Sequence, residues 1–315
     1  MRACFPALFG LFVSFCAGQT PVILQYKGLP GVAIYNNGYL LSWDSPQYTR
    51  VTLYDRNAKL AYIAPERKNQ ESSEYMLAVD SDGVVAGAYA WGRPSEGRID
   101  LLDQFGNVSR TIKTGSYIPR QVVFAPDHTL WTVGYDAKAF GTEDFKVLHH
   151  YAQTGEELGE ALPWSQVSGD VKHPIVDGLR GGQLLYVANN RIGWNAELHY
   201  GSPRTWVEIS FSGTLLGKYN LEMTGAAHLM TVAMSADGSV YARIVSRDAR
   251  LNGYATLDRS QGVWRKVTGA PTGILIGSDG NNVAFLNPDP VSGTLQLIPS
   301  GRLVPEAIAD ATAVR

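Results

Sequence analysis

The chain has 315 residues, 45% hydrophobic and 18% charged, with 27 Lys and Arg against 29 Asp and Glu for a net charge of −2. Length and apolar content suffice for a sizeable core, and no basic stripe is present to neutralise a phosphate backbone, so a nucleic-acid partner is not expected. Cys4 and Cys16 are the only cysteines, too few for a disulfide framework.

Residues 1–18 read as a cleavable export signal. Arg2 precedes an apolar run from Ala3 to Phe15, and the small residues of Cys16-Ala17-Gly18 suit a signal peptidase that would leave Gln19 first. The run is short for a membrane span, so no transmembrane anchor is expected and the protein is placed outside the cytoplasm, secreted or periplasmic. Acylation at Cys16 is the competing reading, disfavoured by Phe15 directly before it. The remaining domain, 19–315, carries 26 basic and 29 acidic residues and no thiol, which removes thiolate nucleophiles and soft-metal sites.

Next in the chain, Val22-Ile23-Leu24-Gln25-Tyr26 reads as an edge strand that helps to close a ring. From Gly31 onwards one unit recurs about every 42–56 residues. Its first turn reads Asn37-Gly38, Asp82-Gly83, Asp127-His128, Gly181-Gly182, Asp237-Gly238 and Asp279-Gly280. These residue types tolerate the positive φ that two-residue hairpin turns demand. A second turn follows at Ala58, Gly106, Gly155, Gly213, Gly262 and Gly301, flanked by β-rich runs such as Arg98-Ile99-Asp100-Leu101-Leu102 and Val207-Glu208-Ile209-Ser210-Phe211. Two hairpins per unit make four antiparallel strands. A sheet of that size cannot bury both faces alone, so the units must stack around an axis. The expected fold is all-β, a single six-bladed β-propeller with four strands per blade, the blades spanning about 31–66, 74–114, 120–162, 173–221, 228–268 and 272–309.

Leu77-Ala78-Val79-Asp80-Ser81-Asp82-Gly83-Val84-Val85, Val122-Val123-Phe124-Ala125-Pro126-Asp127-His128-Thr129-Leu130-Trp131 and Met234-Ser235-Ala236-Asp237-Gly238-Ser239-Val240-Tyr241 resemble NHL-type six-bladed propeller repeats. The resemblance covers nearly the whole domain and implies architecture only, because such folds host binding modules, lactonases and lyases alike. Gluconolactonase-type propellers are a more distant likeness. They hold a divalent cation at the channel mouth, and their first blade carries an acidic residue followed by Gly-Pro. Here that region reads Gly28-Leu29-Pro30-Gly31-Val32-Ala33, without a carboxylate.

Strands alternate in direction, so both turn columns share one end of the disc. The long connections share the other: Trp91 to Gly97, Tyr135 to Lys146, Asn189 to Arg204, Ser246 to Gly253 and the link Pro163 to His173. Binding residues are expected at that long-loop face. Near the start of each innermost strand stand Glu74, Arg120, His173, His228 and Thr272, a set that stacking would gather at the channel mouth. The ordinary alternative is that they are solvated loop residues. Tyr135, Phe140, Arg191, Trp194, His199, Tyr200 and Trp206 make an aromatic and Arg-rich second set, which serves either to recognise a ligand or to cover blade edges.

Asp80-Ser81-Asp82-Gly83 resembles the start of a calcium loop, but the downstream Glu is missing and a hairpin turn accounts for it. His149-His150 are adjacent, so a strand places them on opposite faces and the pair does not chelate. No H-E-x-x-H, G-x-S-x-G, phosphate loop or G-x-G-x-x-G is present.

The sequence therefore points to an exported, monomeric propeller that binds a small molecule, glycan or protein on its long-loop face, with Glu74, Arg120, His173, His228, Thr272, Arg191, Trp194 and Tyr200 as ligand contacts and no metal site or cofactor assigned. The alternative is a hydrolase or lyase at the channel mouth, optionally with a divalent cation there. In that version His173 or His228 is the general base, Arg120 stabilises an anionic intermediate and Glu74 joins them.

Overall fold

A computed structural model describes residues 22–27, 32–43, 51–64, 75–89, 96–139, 143–168, 185–198, 204–220, 222–223, 227–249, 252–288 and 292–306. The strand β1 (Val22–Lys27) comes first, followed by β2 (Val32–Asn36), β3 (Tyr39–Trp43), β4 (Val51–Tyr54) and β5 (Leu60–Ile63). Three four-stranded meanders come next: β6 (Tyr75–Val79), β7 (Val85–Tyr89), β8 (Gly97–Leu102) and β9 (Val108–Gly115); β10 (Tyr117–Phe124), β11 (Leu130–Asp136), β12 (Lys146–Tyr151) and β13 (Glu157–Pro163); and, after the short helix α1 (Trp164–Ser168), β14 (Leu185–Ala188), β15 (Arg191–Ala196), β16 (Thr205–Ser210) and β17 (Leu215–Asn220). A further sheet contains β18 (Glu222–Met223), β19 (Ala227–Met234), β20 (Val240–Ser246), β21 (Gly253–Asp258) and β22 (Val263–Thr268). The chain ends with β23 (Ile274–Asp279), β24 (Asn282–Pro288), β25 (Ser292–Pro299), a 3₁₀ turn (Ser300–Arg302) and β26 (Val304–Pro305).

The architecture is all-β and propeller-like. Third strands such as β4, β8 and β16 are buried on both faces, whereas the outer strand β17 alternates half-buried and exposed residues. A sheet covered on both sides needs an apolar neighbour on each. The cores supply it: Ile34 and Leu53 pack with Leu77 and Val79, Ala78 and Ile99 with Val122 and Tyr151, and Val123 and Trp131 with Ile192 and Trp194. Tyr186 and Trp206 pack with Val232 and Phe285, and Ile276 and Leu295 return to Tyr35 and Tyr54. Adjacent residues such as Val122 and Val123 thus feed successive cores, the period of two expected of a strand.

Two pairings join the ends of the chain. β1 lies antiparallel on β25, from Val22 opposite Leu297 to Lys27 opposite Ser292. β2 meets β23 in parallel at Tyr35–Gly277 and Asn36–Ser278, so that β1, β25, β24, β23, β2, β3, β4 and β5 form one eight-stranded sheet. Gly277 (φ +149°) is required there, because a Cβ would fall 1.9 Å from the Tyr35 carbonyl oxygen.

The turns depart from expectation in three ways. Asn37-Gly38 and Gly280-Asn281 are two-residue turns, but Asp80–Val84, Ala125–Thr129 and Ser235–Ser239 are one step wider, with Gly83, His128 and Gly238 at positive φ. The turn of the fourth unit is Asn189-Asn190 (φ +48° and +57°), not Gly181-Gly182, which lies outside the described residues. Asn, like Gly, tolerates the left-handed conformation that this turn requires. Gly301 sits in the 3₁₀ turn and makes no hairpin; β26 crosses to the edge strand β22, and β1 fills the place beside β25.

Candidate functional site

The two ends of the molecule are built differently. At the tight-turn end, side chains bridge neighbouring sheets. Asn37 Nδ2 donates to Val79 O (2.9 Å), Asn189 Nδ2 to Asp237 O (3.2 Å) and Ser278 Oγ to Met234 O (2.7 Å). Asp80, 2% exposed, accepts the Asp82 and Val84 N–H groups on Oδ1 while Oδ2 faces His128 Nδ1 (3.2 Å) and Gln153 Nε2 (3.4 Å). Asp80, Asp82 and His128 have donor atoms within 4.8 Å of one another, but the oxygens of Asp80 are already committed, as the turn reading required. Between the fourth and fifth units, the fully buried Glu208 takes Arg259 Nη2 (2.7 Å), Arg191 Nη1 (2.8 Å) and Trp206 Nε1 (2.9 Å).

The long-connection half of the inner strands is irregular instead. The register slips between Pro119 and Gln121 in β10, between Leu229 and Val232 in β19 and between Leu275 and Gly277 in β23. Such slips re-aim side chains and are frequent beside working sites. Gln121 Nε2 and Thr231 Oγ1 stand at two of them, buried and without a hydrogen-bond partner. Each lies three residues before the end of its strand. Asn195, next to the end of β15, is 1% exposed and, among the described residues, has no partner for Oδ1 or Nδ2. Tyr26 Oη, Ser42 Oγ, Tyr62 Oη, Arg120 Nε and Trp164 Nε1 are also buried and unbonded, but among the described residues only Asn195 has two such atoms on one side chain. A buried polar group left unbonded costs about 1–3 kcal/mol, so the amide demands a reason.

The residues expected to bind ligand are dispersed. Arg120 lies half-buried in the β10 irregularity, and Thr272 is exposed two residues before β23. His228 stands in β19, opposite Val245; Glu74, Phe140, His173, His199 and Tyr200 lie outside the described residues. Trp194 is not on a recognition loop: β15 buries it to 2% exposure against Ile192 and Val207. Arg191 opens the same strand at the tight-turn end, where Glu208 holds it, and Trp206 is fully buried beside that carboxylate. The Asn189–Arg204 stretch, expected as one loop, contains this strand, Arg191–Ala196. Gln121, Thr231 and Asn195 were missed because nothing local distinguishes a strand amide or hydroxyl that finds a partner from one that does not.

His149 and His150 face opposite ways, as their adjacency implies. His150 stacks on Trp131 (centroids 4.0 Å apart) and reaches Thr129 Oγ1 (2.7 Å); burial first, against the opposing charge of Asp127, lowers its pKa. His149 turns towards Tyr117, Tyr151 and Glu157.

No protein-family model matches the sequence, and no curated protein is similar to it. Among solved structures, hydrazine synthase of Kuenenia stuttgartiensis is 14% identical and superposes with a TM-score of 0.51 over 81% of this chain and 73% of that one. A gluconolactonase of Xanthomonas campestris is 13% identical, with a TM-score of 0.50 over 87% and 89%. The Dos1 propeller follows at 11% and 0.38, over 85% of this chain and 75% of that one. At such identities the likeness is one of fold.

Proposed function

We propose that the chain is an exported six-bladed propeller that binds a small polar ligand, rich in hydroxyl groups or bearing a carboxylate, at the long-connection end of its channel. In this reading the eight-stranded sheet is two blades joined by β2 and β23, with β1 as the fourth strand of the last. The carrying observation is Asn195, a buried amide on the irregular end without partners among the described residues, while the tight-turn end is laced together by side chains. Gln121, Thr231 and the guanidinium of Arg120 add donors and acceptors of the kind that orient small polar molecules. In the alternative, a channel-mouth hydrolase, His173 or His228 would serve as general base; His173 lies outside the described residues.

The test is a thermal-shift screen of sugars, sugar acids and lactones against the full chain. At least one compound is expected to raise Tm, with the shift abolished by Arg120→Ala and by Asn195→Leu. A shift that survives both substitutions would place the site elsewhere. Without ligand, Asn195→Leu and Thr231→Val are each expected to stabilise the protein by about 1–3 kcal/mol, since they remove unbonded polar atoms from the interior. Urea unfolding reads this out, and a loss of stability would mean that these groups are hydrogen-bonded in the free protein.

A further inference from the structure

The outer half of the third sheet carries a group of side chains that the ligand-binding reading does not use. His149 on β12 lies opposite Glu160 on β13, and the register slip between His150 and Tyr151 turns Glu157 onto the same face. The same slip recurs in three other units, where Leu60, Val108 and Leu215 take the place of Glu157. Thr52 opposite Ile63, Asp100 opposite Thr111 and Val207 opposite Lys218 take the place of His149 opposite Glu160. A fold-wide bulge therefore explains the backbone but not the chemistry, which belongs to this unit among the four.

The imidazole is held from several sides. Tyr117 stacks on it with centroids 3.6 Å apart, and Tyr117 is itself fastened by Thr132 Oγ1 (3.1 Å) and the Val147 carbonyl (3.0 Å). Glu157 Oε1 lies 2.5 Å from Nδ1, and Tyr151 Oη lies 3.3 Å from it. A carboxylate only accepts, so Nδ1 donates, and in the neutral ring the lone pair of Nε2 faces outwards. The His149 side chain is 9% exposed, yet Nε2 has no hydrogen bond among the described residues: it faces Glu160 Oε2 at 3.9 Å, too far to bond. Tetrahedral metal–ligand bonds of about 2.0–2.2 Å set their ligands roughly 3.3–3.6 Å apart, so the exposed Glu160 carboxylate needs to close by only a few tenths of an ångström for both atoms to hold one ion. Donor atoms of His149, Glu157 and Glu160 all lie within 4.8 Å of one another, and the two carboxylates, 47% and 59% exposed, leave the outer side open to water.

We propose that this cluster is a zinc-class divalent metal site. His149 Nε2 and the Glu160 carboxylate are the direct ligands, and Glu157 orients the ring through Nδ1, the outer-shell arrangement common to metal-bound histidines. An imidazole with carboxylates favours Zn²⁺ over Mg²⁺ or Ca²⁺, which prefer oxygen alone. The site is separate from the channel and stands whether or not a ligand binds there.

The test is calorimetric titration of the metal-free full chain with Zn²⁺ alone, and with Mg²⁺ alone for comparison. Wild type is expected to take up Zn²⁺ at this site and to bind Mg²⁺ at least about tenfold more weakly. His149→Ala and Glu160→Gln should each weaken the Zn²⁺ affinity at least about tenfold, and Glu157→Gln by about 10–100-fold. Asp82→Asn, in the other His–carboxylate cluster, should leave it unchanged. Glu160 is exposed enough for its variant to fold even where His149→Ala does not, and circular dichroism checks each. No Zn²⁺ uptake by wild type, or an affinity unmoved by Glu160→Gln, overturns the proposal; the latter result would assign the ion to other donors, Cys4 and Cys16 included.

Discussion

A chain that lacks β1 is expected to lose cooperative folding, and Tyr26→Ala alone to cost about 3–5 kcal/mol, the range for emptying a large aromatic site in a core. Six residues of β1 pair with β25, and without them β25 exposes an unpaired edge. Tyr26 is 1% exposed and meets Tyr54 edge to face, with centroids 5.1 Å apart and planes at 81°. Its neighbours in the core include Leu40, Ile276 and Leu295, so one side chain from the start of the chain ties the first unit to the last. Burial pushes its hydroxyl well above the usual tyrosine range, with Tyr35, Asp55 and Tyr54 adding to the effect. Calorimetry should show Tm of the Tyr26→Ala protein lowered by about 10 °C. A variant within two degrees or so of the parent would mean that β1 is an ornament on a ring closed by other contacts.

Glu208→Ala is expected to destabilise the protein by about 2–4 kcal/mol, because it leaves the buried Trp206 N–H without its acceptor and two half-buried guanidinium groups without their counter-charge. Arg259 grips the carboxylate with Nε (2.9 Å) and Nη2 (2.7 Å) from the next unit and also donates to Gly238 O (2.5 Å), so the loss would loosen one sheet against another. Burial by itself raises the Glu208 pKa. The hydrogen bonds from Arg259 and Trp206 and the charges of Arg259 and Arg191 outweigh it and hold the group below the usual carboxylate range. The sign of the pH effect follows. A carboxyl whose folded pKa is lowered contributes its full stabilisation above the unfolded value of about 4.3 and loses it as pH falls through the folded one. Stability should therefore decline below about pH 4, and Glu208→Ala should show a shallower decline there. Urea midpoints between pH 3 and pH 7 measure both, and parallel curves for the two proteins would refute the assignment.

Much of the fold was legible because its signals are local. Asn37-Gly38 and Gly106 mark turns through their own φ preferences, and runs such as Arg98 to Leu102 mark strands through alternation. Errors arose where a local signal had a rival. Gly181-Gly182 outshone Asn189-Asn190, although either pair can adopt the left-handed conformation, and that shift of register carried Arg191 and Trp194 onto a loop they do not occupy. Gly301 marked a turn correctly, but no short-range rule says which strand a turn leads to.

What the sequence by itself determined was the β class, the repeating unit and the strand that joins the ends, since each is written in patterns of a few residues. The tertiary structure alone decided which polar atoms meet. Gln25 and Thr294 share a hydrogen bond across 269 positions, Arg259 reaches Glu208 across 51, and Asn195 has no partner among the described residues. The energy of a buried polar group depends on atoms that the chain brings from elsewhere, and no window along the sequence contains them.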